Sequence, residues 1–353
     1  MLLEDLATEI VAHVFLSCTS ISDVLALSST CKRFRRIYTS SQRLPILQHA
    51  AEAQYGPLED VIQLLTHNAS QRAHIIRSVP FSLALLKQIV HTGRIAEKWS
   101  DIYPFKKWKH DFEHRRMLTT SERYRLRRAL YRLWLYTRAF HNPAHPRSLR
   151  MNHLVLHERA QLLHNWSTAE LAEIADVHLV LREVIRSNVC PSNGTIARKF
   201  KKRYPDHDGS QLLFNIHLNY PPPVSYNPFA APALSSLYHN SPALADRFSY
   251  SKFQATAYHE PGAEGWGDDI SQYYVVEDMM KLDPEQILWL KENAPLKGQV
   301  ELYVKGLGDW FENNGDTWGQ TLVEVLGERG EDVGEVLGGI AEGGLGVAVL
   351  DEL

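Results

Sequence analysis

Two histidines and a glutamate stand close together in His110-Asp111-Phe112-Glu113-His114. On a helix His110 and His114 would share one face and could bind a zinc ion, with Glu113 as general base. Such a site needs a third ligand. The surrounding stretch is highly charged, and seventeen histidines in the chain make chance spacings common. The segment is therefore expected to be a solvated polar helix that holds no metal. His153 and His157 repeat the four-residue spacing. So do His141 and His145, although Pro143 between them argues against a regular helix. Gly343-Gly344-Leu345-Gly346 and Gly306-Leu307-Gly308 lack the spacing and lysine of a phosphate loop. No G-x-S-x-G elbow occurs, and Asp206-His207-Asp208-Gly209 is too short a fragment of a calcium loop to count. The expectation is a chain without catalytic residues, metal or cofactor.

Binding is the remaining chemistry. Residues 101–150 carry thirteen Lys and Arg against four Asp and Glu, interspersed with Trp108, Tyr124, Tyr131, Trp134 and Tyr136. Cations on phosphates and rings on bases could bind nucleic acid. Against this, Leu126, Leu130, Leu133 and Trp134 recur as the buried face of one amphipathic helix, which leaves the arginines on its solvated face. The last fifty residues are strongly acidic and could attract this helix within the molecule. The net charge is −3, so nucleic acid is not the expected partner. A nucleic-acid or protein interaction module with a basic surface at 101–150 is kept as an alternative.

The first forty residues place apolar side chains at helical spacing. Leu6, Ile10 and Val14 share a face, flanked by Leu3, Val11 and Phe15. Thr19 to Ser22 break the pattern, with Ser22 as expected N-cap and Asp23 in the first turn of a second helix. Val24, Leu27, Ser28, Cys31 and Phe34 then form another stripe, ending among Lys32, Arg33, Arg35 and Arg36.

Leu6-Ala7-Thr8-Glu9-Ile10-Val11-Ala12-His13-Val14-Phe15-Leu16 resembles the opening of an F-box, and Asp23-Val24-Leu25-Ala26-Leu27-Ser28-Ser29-Thr30-Cys31-Lys32-Arg33-Phe34 resembles its second half. The likeness covers about a tenth of the chain. Ala7 stands where the family usually has proline, which would fix the first helical turn. The resemblance implies docking on a Skp-family adaptor and, through it, on a cullin. Leu6, Ile10, Val14, Phe15, Leu16, Val24, Leu25 and Leu27 are the apolar contact candidates. Lys32 and Arg33 would steer toward the acidic adaptor, and Cys31 and Phe34 would lock the F-box helices together. The whole would then be the target-recruiting subunit of a Skp–cullin–F-box ubiquitin ligase, with an unknown protein target, or a non-ligase F-box scaffold. The remainder is reminiscent of F-box proteins abundant in fungi, notably Tyr124 to Trp134.

Stepping outward along the chain, the apolar groups at 61–65 and 83–90 have helical spacing. Gly56-Pro57 and Val79-Pro80 are expected breaks. Thr119 with Glu122, Ser167 with Glu170, and Asp283-Pro284 with Gln286 have the pattern of capped helix starts, the first helix running to about Phe140. The expected fold is mostly α: an F-box domain over 1–44, a helical substrate-binding domain over 45–325 with a Pro-rich, loop-rich stretch at 205–282, and a flexible Gly/Glu-rich tail over 326–353. Three cysteines, an acid-interrupted first apolar stretch and no long apolar run fit the cytoplasm or nucleus and no membrane.

Overall fold

The computed structural model describes residues 6–68, 70–150, 152–203, 265–267, 269–311 and 315–350. Among them the protein is helical and contains no strand. In chain order the helices are α1 Thr8–Leu16, α2 Ile21–Thr30, α3 Lys32–Tyr38, α4 Arg43–Tyr55, α5 Leu58–Thr66, α6 Leu83–Lys107, α7 Thr120–Phe140, α8 His153–His164 and α9 Thr168–Val184. A π-helical turn, Ile185–Val189, follows α9. Then come α10 Asn193–Arg203, α11 Asp269–Met279, α12 Pro284–Asn293, α13 Lys297–Leu307, α14 Trp318–Glu328 and α15 Val333–Glu342.

Local chemistry fixes several starts. Thr119 and Glu122 satisfy each other's backbone N–H at the head of α7, and Asp283 and Gln286 do so for α12. Ser167 and Glu170 exchange the same pair of bonds before α9. At α2 the cap is Ser20, whose hydroxyl accepts from the Asp23 N–H at 3.0 Å, rather than the expected Ser22. The helix consequently begins one residue before Ser22, at Ile21.

The chain divides into two compact units. The first comprises 1–144, 148–180 and 317–353. Its centre is α4 to α7, where Trp99, Tyr103, Tyr131, Trp134 and Tyr136 are buried. The Tyr131 hydroxyl donates to the Tyr55 carbonyl at 2.9 Å. Gly93 on α6 lets the Tyr55 ring approach so closely that a Cβ would sit 2.2 Å from it. The second unit comprises 145–147 and 181–316. There Gln272 on α11 donates to the Cys190 and Arg186 carbonyls. Lys281 is fully buried, with its ammonium over the Phe311 ring and donating to the Phe311 carbonyl.

Domain expectations need correction. The N-terminal helices do not stand apart at 44/45: α4 packs against α1, α2, α3 and α6, and 1–144 falls within one unit. Of the loop-rich stretch at 205–282, 205–264 lies outside the described residues, whereas Asp269–Met279 is helix. The described part of the expected loose tail is also ordered. α14 reaches Glu328, and α15 buries Val336 and Ile340 before Val347 and Ala348 enter the core. The agent is Asp176 on α9, which is wholly buried. Its carboxylate accepts from the Tyr103 hydroxyl at 2.5 Å, the Lys107 ammonium at 2.8 Å and the Val347 N–H at 3.1 Å. Lys107 also donates to the Ile340 carbonyl at 2.9 Å. Gly346 has φ 104°, and a Cβ there would lie 2.6 Å from Asp176 Oδ2. Glycine-rich sequence therefore serves close approach here, not disorder.

Candidate functional site

Helices α1 to α3 enclose a small core of Val11, Phe15, Val24, Phe34, Ile37 and Tyr38. The Phe15 ring meets Phe34 edge-on at 6.3 Å and stacks on Tyr38 at 6.2 Å, geometries that aromatic pairs favour. Cys31 caps α3, its sulfur accepting from the Phe34 N–H at 3.4 Å. Cys18, half-buried at the end of α1, accepts no such role; burial and then the nearby Asp23 push its thiol up, so it is not an activated nucleophile. α4 holds this group from outside, with the Gln54 side chain accepting from the Ile21 N–H at 3.1 Å.

The apolar contact candidates separate into two sets. Ile10 and Leu25 are each 48% exposed, and Leu6, Val14, Leu16 and Leu27 are half-buried. Phe15 and Val24 were expected at the contact surface but are fully buried. They lie on the inward faces of α1 and α2, where Phe15 fills the space between Phe34 and Tyr38, so they are core and not contact residues. Phe34 is buried and Cys31 half-buried. Lys32 is exposed, whereas Arg33 is half-buried and its guanidinium donates to the Leu6 carbonyl, tying the start of α1 to α3. Sequence reading missed Ile37 and Tyr38, although 34, 37 and 38 carry the helical i, i+3, i+4 signal.

The other constellations do not assemble. His110 to His114 is irregular chain, not a helix. His114 Nδ1 instead lies 2.7 Å from Asp111 Oδ2, and that bond holds the Asp111 carboxyl below its ordinary value. His141 is buried with Nε2 3.0 Å from the Thr317 hydroxyl, and His157 meets Gln161. Among the described residues no group of three His, Cys, Asp or Glu side chains could hold a metal.

The basic stretch is also turned inward, contrary to the expected solvated arginine face. Arg132 pairs with Asp60 at 2.8 Å and Glu170 at 2.9 Å. Arg128 pairs with Glu173 at 2.6 Å and Glu170 at 3.3 Å. Arg127 is buried and donates to the Gly56 carbonyl at 2.8 Å, and Arg116 grips Glu122 through both oxygens at 2.6 Å. Burial pushes the carboxyls of Asp60 and Glu173 up against the opposing pull of their arginines. For Glu122 burial acts the same way, but Arg116 and the Thr119 N–H outweigh it and hold the group low. Trp108, Tyr131, Trp134 and Tyr136 are buried, which leaves Tyr124 alone of the five rings exposed. The neutralising carboxylates come from Glu122, Asp60 and α9, not from the acidic end of the chain.

The N-terminal helices thus combine a closed core, outward apolar side chains and adjacent cations, an arrangement that can bind a partner. Comparison with protein-family models, with curated proteins and with solved structures found no match.

Proposed function

We propose that this chain is the target-recruiting subunit of a Skp–cullin–F-box ubiquitin ligase. The carrying observation is the outward placement of Ile10 and Leu25 on a helical group whose own core is already closed. We assign the two to one apolar patch, and such patches on a folded chain commonly mark an interaction site. Half-buried Leu6, Val14, Leu16 and Leu27 would extend it, and exposed Lys32, Arg35 and Arg36 would favour an acidic partner. In this reading the Skp adaptor covers α1 and α2, a cullin joins through the adaptor, and the remaining helices hold the target. The rate gain is proximity: tethering raises the effective concentration of a target lysine near the ubiquitin thioester. The chain itself supplies no catalytic group, cofactor or metal, and works in the cytoplasm or nucleus.

The test is co-purification. The full chain should retain a Skp adaptor together with a cullin, and Ile10→Asp with Leu25→Asp should lose both. Retention of the adaptor without any cullin would leave a non-ligase scaffold. Adaptor binding that survives both substitutions would overturn the assigned surface.

A further inference from the structure

In the 101–150 stretch Lys107, Arg116, Arg128 and Arg132 are paired with carboxylates, and the molecule carries another basic cluster. Between Val184 and Pro205 there is no Asp or Glu, while Arg186, Arg198, Lys199, Lys201, Lys202 and Arg203 contribute six cations in a chain of net charge −3. Helix α10 displays part of this run. The Ser192 hydroxyl accepts from the Thr195 N–H at 3.2 Å at its start, and Ile196 is buried and anchors it. Arg198 and Lys202 stand at i and i+4 on the side of the helix away from Ile196, with Lys199 flanking them, and all three are exposed. Lys199 donates to the Ser187 carbonyl at 3.1 Å, which places its ammonium beside the turn that bears exposed Arg186. The Arg198 guanidinium stays on its own helix, bonded to the Gly194 carbonyl and Thr195 hydroxyl. Among the described residues no carboxylate pairs with Arg186, Arg198, Lys199 or Lys202. Neighbouring Arg182 differs in this respect, being held by Glu277 and Tyr273.

We propose that the outward face of α10, with Arg186, is a docking surface for the phosphate backbone of duplex nucleic acid. Charge complementarity is the first ground: an uncompensated cationic face gains by releasing counterions condensed on a polyanion. Chemistry of the face is the second. Its described side chains expose no large apolar or aromatic group, whereas peptide partners generally need such an anchor and a membrane surface needs an apolar face to receive. Geometry is the third. Arg198 and Lys202 are separated by about 6 Å of helix rise, so successive charges can follow one strand without reading bases. This surface is independent of the adaptor-binding face on α1 and α2.

The experiment is fluorescence anisotropy of the full chain with a mixed-sequence 20-base-pair DNA duplex, and a matching RNA duplex, across salt. Four phosphate contacts predict a slope of log K against log salt near −3.6, a loss of about 150-fold between 50 and 200 mM salt. Lys199→Gln with Lys202→Gln should bring the slope near −1.8 and the loss to about 12-fold. Lys199→Arg with Lys202→Arg should keep the parent slope, as should Lys87→Gln with Lys291→Gln, which removes equal charge elsewhere. Circular dichroism of each variant reports folding, and the arginine pair tests the charge even if the glutamine pair unfolds. DNA and RNA duplexes binding alike would support recognition of the phosphates. The proposal is overturned by salt-independent or absent binding, or by equal slopes in the two glutamine variants. It is overturned as well if polyglutamate competes as strongly as duplex at equal charge, since the surface would then serve acidic polypeptide.

Discussion

Helix α7 and the α1–α3 group use the same residue types to opposite ends. Both combine basic side chains with aliphatic and aromatic ones. On α7 the leucines and every ring but Tyr124 are buried and Arg116, Arg127, Arg128 and Arg132, on or beside the helix, are bound by carboxylates or carbonyls. On α1 to α3, Phe15, Val24 and Phe34 close the core, yet Ile10, Leu25, Lys32, Arg35 and Arg36 face outward. Cation density along a sequence therefore does not locate a basic surface. The positions of the acids do, and for α7 they lie as far away as Asp60 and Glu173.

The comparison can be broken most forcefully at the two cores. Phe15→Ala should cost about 3–5 kcal/mol in urea unfolding, because it empties the space between Phe34 and Tyr38; a loss under 1 kcal/mol would show that the small core is not closed. Arg132→Ala should cost about 2–4 kcal/mol, since Asp60 and Glu170 are left facing each other with little water. A near-neutral result would restore the solvated-arginine picture of α7. Glu122 sharpens the contrast through pH. Its folded-state carboxyl is held low, so its contribution is complete above the ordinary carboxylate range and disappears as pH falls through the folded value. Glu122→Gln should flatten that acid limb of the stability curve. The smallest effects belong to the outward face: Lys32→Ala should change stability by no more than about 0.5 kcal/mol, and Ile10→Asp by about 1 kcal/mol or less, while combining the latter with Leu25→Asp should remove the proposed adaptor capture.

Local signals were legible in the sequence. The capped starts at Thr119, Ser167 and Asp283 satisfy backbone groups within three residues, so their chemistry is complete in the string itself. The end of α7 at Phe140 was legible for the same reason. The sequence also marked the apolar stripes of α1 and α2, but not which side of each would face inward. Phe15 is core only because Phe34 and Tyr38 arrive from α3, and a 3.6-residue period cannot distinguish a partner helix of the same chain from another polypeptide. The arginine ties and the Asp176 contacts were illegible for a stronger reason. Their partners lie between 6 and 171 residues away, and most leave no trace in local composition. Glycine and glutamate near the carboxyl end looked like solvated chain, because nothing nearby announces that Gly346 must pass beside a buried carboxylate.

That carboxylate also imposes an order on biosynthesis. When α9 leaves the ribosome, Asp176 can already meet Tyr103 and Lys107, but Val347 is still unmade. The whole of 181–316 must be translated first. A nascent chain therefore carries an unfinished first unit throughout that interval, and closure waits for residues translated after it.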